Sequence, residues 1–498
     1  MKQTAYLQIN KNDNVVVCLR AMHVGEEIKT SHGIIHVLRE TPAGHKILLH
    51  DTNQNEPIIK YGYPIGHAKE PLKAGEWVNE KNIKTNLSGT LEYEYQPRIM
   101  PLEIEHEDRY FKGFLRRNGE VGIRNEIWIV PTVGCVNGIA ERLARQLEKE
   151  TQLKGIDGIH AWHHNYGCSQ LGDDHENTRK VLRDICQHPN AGGVLVISLG
   201  CENNQPEDFM KLLGDYDTER IQLLITQQVE GDEVEAGMNI LRKLYHKAAQ
   251  DQREEVSVDK LRIGLKCGGS DGFSGITANP LVGAFSDWLI AQGGTTVLTE
   301  VPEMFGAETI LMNRCLTPQL FQKTVKMIND FKTYFLEHGE PVGENPSPGN
   351  KAGGISTLED KALGCTQKGG HAPVCGVLSY GERIEVNGLN LLSAPGNDLV
   401  AATALAASGC QMVLFTTGRG TPFGTFVPTM KISTNSQLYK TKPNWIDFNA
   451  GELVEGTEMQ TLRNKFIDKI LAVANGEKVQ NEVNGYQEIA IFKNGVTL

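Results

Sequence analysis

Hydrophobic and polar residues follow two different patterns along this chain. From Asn14 to about Val78, short apolar runs such as VVVCLR and HKILLH are separated by glycine, proline and asparagine, as in strands joined by turns. After Arg109 the pattern becomes strand, glycine-rich turn and helix in repetition, as in EIWIVPTV followed by GIAERLARQLEKE. Such repetition predicts mostly parallel sheets covered by helices. We therefore expect a small all-β N-terminal module followed by two α/β domains.

Polar and proline-rich stretches predict the domain boundaries. At 498 residues the chain is longer than one hydrophobic core usually serves. We expect an all-β module over residues 1–90, an extended linker over 91–108, a second domain over 109–250 and a C-terminal domain over 251–498. The charged segment 250–259 marks the last boundary.

Composition narrows the classes of function. A formal net charge of -11 argues against a general role in binding nucleic acid or an anionic membrane, so an anionic substrate needs a local cationic pocket. No signal peptide, long apolar run or CxxC pair occurs, which predicts a cytoplasmic protein with reduced thiols. Neither a P-loop nor a dinucleotide-binding glycine motif occurs in its proper context, so no nucleotide cofactor is expected. A homodimer is the default assembly.

Three predicted strands end in the same dipeptide, Gly-Cys. The cysteines are Cys135, Cys168 and Cys201, spaced 33 residues apart in each case. Ligands of open α/β sheets bind beyond the carboxyl ends of the strands, where these thiols should lie. Three thiolates could hold an iron–sulfur cluster, but only if the three strands are neighbours in the sheet. The alternative is that cysteine merely serves as a small apolar residue in a tight turn.

Other candidate groups are metal ligands and cations. His164, His175, Glu202 and Asp271 follow predicted strands or open helices, and histidine with carboxylate suits a divalent metal in Lewis-acid catalysis. No compact ligand spacing such as HExxH is present. Two glycine-rich loops carry cations suited to an anionic ligand: PVGENPSPGNKAGGIS contains Lys351, and TTGRGTPFG contains Arg419, whose forked guanidinium matches a carboxylate.

These stretches together resemble the altronate and galactarate dehydratases. The resemblance rests on GHKILLHD, NGEVGIRNEIWIVPTVGCVNGIA, YGCSQLGDDHENTR, LVISLGCENNQ, CGGSDGFSGITANP, ENPSPGNKAGGISTLEDKALGCTQK and FTTGRGTPFGTFVPTMKI, which cover almost the whole chain. It implies a SAF-type β-clip module at the N-terminus and ferrous iron as cofactor, with Mn²⁺ as the alternative. It also implies that His45 and Lys46 of the first module contribute to the active site.

The reaction implied by the resemblance is dehydration of D-altronate to 2-dehydro-3-deoxy-D-gluconate in hexuronate breakdown. The open alternatives are a galactarate dehydratase, a lyase for a sulfonated hydroxy acid, and a non-catalytic sugar-acid sensor. A single ferrous ion is favoured over a cluster on the three Gly-Cys thiols. The residues assigned on this basis are His45, His175, Glu202 and Asp271 for the metal, His45, Lys46, His164 and His175 for acid–base work, and Arg124, Asn125, Lys351 and Arg419 for the substrate.

One departure from the family pattern affects these expectations. Similar members often carry a His-x-His pair at the end of the first module, where this sequence reads WVNEKN. If those histidines bind metal, Glu80 or Asn82 has to substitute for them.

Overall fold

Three small antiparallel sheets form the N-terminal module of this computed structural model, which describes residues 5–31, 33–343 and 345–498. Valine-rich β2 is buried along its whole length, while glycine and asparagine turns keep the strands short. The sheets have the orders β1-β2-β5-β8, β3-β4 and β6-β7-β9. The strands are β1 (Tyr6–Leu7), β2 (Val15–Cys18), β3 (Glu27–Thr30), β4 (Gly33–His36), β5 (Lys46–Leu48), β6 (Pro57–Lys60), β7 (Tyr63–Ala68), β8 (Trp77–Val78) and β9 (Ile83–Lys84).

The second domain is a parallel sheet between two layers of helices. Its strand order is β13-β12-β14-β15, and β12 is buried along its whole length because helices cover both faces. A small antiparallel sheet, β11-β10-β16, joins the segments that enter and leave the domain. The elements are β10 (Tyr110–Leu115), β11 (Val121–Gly122), β12 (Glu126–Pro131), α1 (Asn137–Thr151), β13 (Gly158–Ala161), α2 (Gly172–Cys186), β14 (Ala191–Ser198), α3 (Pro206–Leu212), β15 (Ile221–Ile225), α4 (Glu233–Ala248) and β16 (Glu254–Ser257).

The C-terminal domain contains a seven-stranded parallel sheet in the order β19-β20-β18-β17-β21-β22-β23. Its longest helix, α7, begins where the Thr317 side chain caps Leu320 N–H and Pro318 occupies the first turn. The elements are β17 (Arg262–Cys267), α5 (Ala278–Ala291), β18 (Thr295–Leu298), α6 (Glu308–Met312), α7 (Pro318–Glu337), α8 (Pro348–Ala352), α9 (Leu358–Cys365), β19 (Val374–Leu378), β20 (Gly388–Leu392), α10 (Asp398–Ala407), β21 (Met412–Thr417), β22 (Thr429–Ser433), α11 (Ser436–Thr441), β23 (Phe448–Asn449), α12 (Met459–Ala474) and α13 (Gln480–Asn484).

Both α/β domains confirm the predicted fold class, and the C-terminal sheet also shows where a ligand should bind. From β17 the chain adds strands on one side of the sheet and then returns to the other side at β21. This reversal creates a crevice beyond the carboxyl ends of β17 and β21. The loops after these strands meet there, since Gly418 and Arg419 both donate backbone N–H groups to Gly269 O, at 3.0 and 2.9 Å.

The extended segment between β9 and β10 lies against the C-terminal domain. Tyr93 donates its hydroxyl to Glu308 and Tyr95 donates to Cys315 O, both at 2.6 Å. Among the helices that the structure describes, none has the length and apolarity needed to cross a membrane.

Candidate functional site

A cleft of about 510 Å³ opens at the crevice of the C-terminal sheet. The loop after β17 forms its floor, and the proline-rich segment that precedes and includes α8 forms one wall. Glycine at the floor leaves space for a ligand beside the backbone. The lining residues are Gly268, Gly269, Glu303, Asn345, Pro346, Ser347, Pro348, Asn350, Lys351, Lys361, Gly396 and Asp398.

Glu303 and Lys361 form a buried ion pair in the wall of the cleft. Glu303 Oε1 lies 2.7 Å from Lys361 Nζ, which also donates to the side chains of Asn345 and Asn350 at 3.1 and 3.3 Å. Burial would raise the pKa of Glu303, but Lys361 and two further lysines outweigh it and lower that pKa to about 2. Burial acts against the charge of Lys361 as well, yet Glu303 holds its pKa above the ordinary value. At neutral pH the cleft therefore presents a carboxylate beside an ammonium group.

Two further lysines stand behind this pair. Lys266, at the end of β17, is fully buried and binds Glu300 as well as Asp398, whose Oδ1 lies 2.8 Å from Lys266 Nζ. Lys368 Nζ lies 3.5 Å from Glu300 Oε2. Burial would lower the pKa of Lys266, but the surrounding carboxylates raise it well above its ordinary value. Lys266, Lys361 and Lys368 are thus matched in number by three carboxylates, Glu300, Glu303 and Asp398.

Cys267, Glu303 and Cys365 form a compact group of potential metal ligands beneath the cleft. In the part of the chain that the structure describes, they are the one set of three such residues whose ligand atoms lie within 4.8 Å of one another. Cys267 Sγ lies 3.3 Å from Cys365 Sγ and 2.9 Å from Lys368 Nζ. Lys368 Nζ already contacts the Cys267 sulfur, and Lys361 Nζ contacts Glu303. A divalent cation therefore does not fit this group without displacing a lysine.

The N-terminal module closes one side of the C-terminal domain through His45 and Lys46. His45 Nε2 lies 3.2 Å from Ala352 O, and its Nδ1 accepts a hydrogen bond from Trp77 Nε1 at 3.1 Å. Burial, with the charge of Lys46, lowers the pKa of His45. Lys46 Nζ donates to Gly354 O at 2.6 Å and to Asp360 at 2.8 Å. Both side chains hold the segment next to Lys351, so they support the cleft wall.

Of the residues predicted to bind substrate, Lys351 lines the cleft and Arg419 stands beside it. Lys351 lies on α8. Arg419 has an exposed side chain with no hydrogen bond or ion pair to any described residue, and its stem packs at Gly269 on the cleft floor. Both cations are free to contact an anionic ligand.

Arg124 and Asn125 lie elsewhere and are already paired. The guanidinium of Arg124 is buried and donates to both oxygens of Glu482, at 2.6 and 2.8 Å, and to three backbone carbonyls. The amide of Asn125 donates to Ala248 O and accepts from Arg116. The structure therefore does not bring these two residues to the cleft, and their contacts join the second domain to neighbouring elements.

The predicted acid–base histidines of the second domain also lie outside the cleft. His164 Nε2 lies 2.8 Å from Pro131 O, and its Nδ1 accepts from Tyr166 N–H at 3.1 Å. Burial lowers the pKa of His164 to about 4, so the ring is neutral and both nitrogens are occupied. His175 lies on α2, where its buried Nδ1 has no partner among the described residues and burial lowers its pKa.

The four residues predicted to bind iron do not form one site. Glu202 is buried and accepts hydrogen bonds from Thr132, Ser198 and the backbone of its own loop. Asp271 is buried and accepts from Thr434 at 2.9 Å, while a Cβ at Gly418 would lie 2.2 Å from its carboxyl carbon. With His45 and His175 placed as above, no three of these groups share a ligand-sized space within the described residues. The carboxylates of Glu202 and Asp271 accept hydrogen bonds that stabilise their loops instead.

Sequence reasoning missed the residues that dominate the cleft. Lys361 and Lys368 lie in a stretch that carries the family resemblance, yet neither they nor Lys266, Glu300 and Glu303 were singled out. A signal was present in LRIGLKC, where a lysine interrupts an apolar strand and must either face solvent or find a buried partner.

Comparison with known proteins agrees with this architecture. The family model described as "D-galactarate/Altronate dehydratase, C-terminal" matches residues 258–497. The model "D-galactarate dehydratase/Altronate hydrolase, second domain" matches 113–249, and "Altronate/galactarate dehydratase SAF domain" matches 4–86. The three matches follow the three structural units in order.

Curated relatives cover the chain from end to end. An altronate dehydratase of Bacillus subtilis (strain 168) is 56% identical over 497 residues, which is 99% of this chain and 100% of that protein. An altronate dehydratase of Escherichia coli (strain K12) is 54% identical, over 99% of this chain and 100% of that protein. A galactarate dehydratase (L-threo-forming) of Escherichia coli (strain K12) is 31% identical, over 98% and 96%. This chain belongs to the altronate and galactarate dehydratase family.

Proposed function

We propose that this chain is a hydro-lyase that converts D-altronate to 2-dehydro-3-deoxy-D-gluconate and water. The observation that carries the proposal is identity of 56% and 54% over the whole chain with two altronate dehydratases, against 31% with a galactarate dehydratase. The cleft supports it, because lysines and one free arginine suit a substrate with a single carboxylate and several hydroxyls.

The chemistry has two demands that the cleft residues can meet. The C2 proton, α to a carboxylate, is weakly acidic, and hydroxide is a poor leaving group at C3. Lys351 and Arg419 bind the carboxylate and stabilise the negative charge that develops on it. The Glu303 carboxylate takes the C2 proton as the C2–H bond breaks. The Lys361 ammonium donates a proton to the C3 oxygen as the C3–O bond breaks. Water leaves, and the resulting enol ketonises to the 2-keto acid.

Both side chains hold the protonation states that this division of roles requires. Glu303 is ionised and Lys361 is protonated at neutral pH, so the first can accept a proton and the second can donate one. Their 2.7 Å contact also allows the proton to pass between them after each turnover. His45 and Lys46 act through the cleft wall and contact no reacting atom in this proposal.

Ferrous iron, with Mn²⁺ as the alternative, stays a prediction. When bound beside a hydroxy acid, such an ion stabilises negative charge on carboxylate and hydroxyl oxygens. The residues predicted to hold it do not converge, so we assign it no step. A cytoplasmic location and a homodimer likewise belong to the proposal.

The test is a comparison of substrates with the purified chain. Formation of 2-keto acid is followed with D-altronate, galactarate and a sulfonated hydroxy acid, with Glu303→Gln as the catalytically impaired control. We expect kcat/KM to be highest on D-altronate. A preference for galactarate would move the chain to the other branch of the family, and binding of D-altronate without any product would make it a sensor.

A further inference from the structure

Three exposed thiols lie at one edge of the second domain, outside the cleft. Cys135, Cys168 and Cys201 are exposed and free, whereas six of the other seven cysteines are buried and Cys375 is partly buried. Cysteine usually behaves as a small apolar residue and is among the most buried types. A role as filler in a tight turn therefore explains the buried cysteines but not these three.

The strand order places the three cysteine-bearing loops side by side. They follow β12, β13 and β14, and the sheet order β13-β12-β14 makes these strands immediate neighbours with Cys135 in the centre. The register pairs Pro131 with Ile197, so Cys135 and Cys201 each lie four residues beyond a matched pair. On the other side of β12, Ile129 pairs with Ala161, and Cys168 lies seven residues beyond that pair where Cys135 lies six beyond it. All three leave the same edge, where ligands of parallel sheets bind.

Hydrogen bonds tie the three cysteine-bearing loops to one another. Gly134 N–H donates to Tyr166 O at 2.9 Å, which joins the first loop to the second. Asn204 N–H donates to Gly167 O at 2.9 Å, which joins the third to the second. The Thr132 hydroxyl donates to Glu202 at 2.7 Å, which joins the first to the third. Each bond lies within three residues of the cysteines concerned, so the loop backbones that carry the thiols are held together. The Cys201 sulfur also accepts a hydrogen bond from Gln227 Nε2, directly after β15, at 3.4 Å.

Buried polar atoms without partners mark the same loops. Gln170 Nε2 and Asn204 Oδ1 are buried and have no hydrogen-bond partner among the described residues, and they lie two and three residues beyond Cys168 and Cys201. Buried polar groups are almost always satisfied, so an unpaired one has room for a water, an ion or another bound group as its partner. Gln170 Nε2 is an N–H donor of the kind that sulfide and thiolate sulfurs accept, whereas Asn204 Oδ1 can only accept a hydrogen bond.

We infer that Cys135, Cys168 and Cys201 hold an iron–sulfur cluster on the second domain. Thiolates select zinc, copper(I) or iron–sulfur clusters. A single ion needs its ligand atoms close together, and among the described residues only Cys267, Glu303 and Cys365 meet a 4.8 Å limit. A four-iron cluster spans more space, because each thiolate binds a different iron. Three thiols lose their protons to bind three irons, and the fourth iron keeps an open position for an oxygen ligand.

The site is tested by loading the whole chain anaerobically with ferric iron and sulfide. Excess dithiothreitol reduces part of the iron. Iron and acid-labile sulfide per chain are measured, with the visible absorption and the electron paramagnetic resonance signal after reduction. The parent chain and the control Cys375→Ala should bind iron and sulfide in matching amounts. Cys135→Ala, Cys168→Ala and Cys201→Ala should each lower the bound sulfide at least about tenfold. Because these side chains are exposed, their circular dichroism and melting should match the parent.

Three results would overturn the inference. Iron without sulfide in the parent chain would indicate single ions. Unchanged sulfide in the triple Cys→Ala variant would place any cluster elsewhere. Loss of sulfide in Cys267→Ala, with full loading retained in the three edge variants, would assign the iron to the group beneath the cleft. None of these measurements depends on the proposed reaction, so a chain inactive on D-altronate would still test the site.

Discussion

Replacing Asp360 with Asn should separate the N-terminal module from the cleft wall. The Asp360 carboxylate lies 2.8 Å from Lys46 Nζ and 2.9 Å from Lys60 Nζ, both from the N-terminal module, and accepts Ser356 N–H at 3.0 Å. All three charged side chains are buried. Burial would raise the pKa of Asp360, but the two ammonium groups hold it far below the ordinary range. The carboxylate is therefore the shared counter-ion of two lysines that water cannot reach.

The size of the destabilisation follows from the two buried lysines that Asp360→Asn leaves without a carboxylate. In Asp360→Asn the new side chain would offer one carbonyl oxygen to two buried cations and turn an amide N–H₂ toward one of them. Breaking a buried ion pair in this way costs about 3–5 kcal/mol. Lys46→Met removes one cation but leaves Asp360 paired with Lys60, so it should cost only about 1–3 kcal/mol for the acceptors left unsatisfied. The distinctive prediction is that Asp360→Asn destabilises the protein more than Lys46→Met does.

Hydrogen exchange resolved by peptide is the suitable assay, because a chain of several domains need not unfold in one step. In Asp360→Asn, exchange should accelerate in β5 and in the 353–360 segment and stay unchanged in the second domain. The exposed pair Lys73–Asp51 in the same module provides the control, and Asp51→Asn should leave exchange unaltered. An Asp360→Asn chain with parental protection in both segments, or a larger loss in Lys46→Met, would refute the reasoning.

Three predictions concern the reaction. Glu303→Gln and Lys361→Met should each lower kcat on D-altronate at least about a hundredfold, with KM changed far less. Equal losses in kcat and in affinity would contradict proton transfer by this pair. Arg419→Lys should lower kcat/KM by roughly tenfold, because the forked geometry is lost, whereas the exposed control Arg117→Lys should match the parent. A chelator should abolish turnover and anaerobic Fe(II) should restore it better than Mn²⁺, whereas full activity after metal removal would contradict the cofactor prediction.

Periodicity in the sequence was enough for the fold class and for the edge on which the Gly-Cys thiols lie. It could not give the order of strands, since local pattern does not say which neighbours a strand selects. The preference for a single ferrous ion rested partly on that missing fact and partly on the histidine and carboxylate groups nearby, and it stays a prediction. Once β12 lies between β13 and β14, the condition for three thiolates to share one cluster is met.

Charged residues show most clearly where sequence reasoning ends. The sequence assigns both Arg419, from its glycine-rich loop, and Arg124, from the family resemblance, to the substrate, but Arg124 is neutralised by Glu482, 358 positions away. Lys266 was passed over although its partners Glu300 and Asp398 make it part of the site, at separations of 34 and 132 residues. Whether a cation is free or buried depends on such distant partners. The loops alone could therefore nominate Arg419 and Lys351 but could not exclude Arg124.

The neutral histidines of the second domain predict how stability depends on pH. Burial lowers the pKa of His164 to about 4 from an ordinary value of 6.5. Below pH 6.5 the ring binds a proton in the unfolded chain but not in the folded chain. The stability that the neutral ring contributes is therefore fully present above pH 6.5 and falls as the pH drops toward 4. A difference of this size corresponds to about 3 kcal/mol at pH 4. Urea unfolding measures this loss of stability. Between pH 7 and 4.5, His164→Gln should lose less stability than the parent does, while the exposed control His246→Gln should lose as much as the parent. Equal losses in the parent and in His164→Gln would mean that the folded ring also binds the proton.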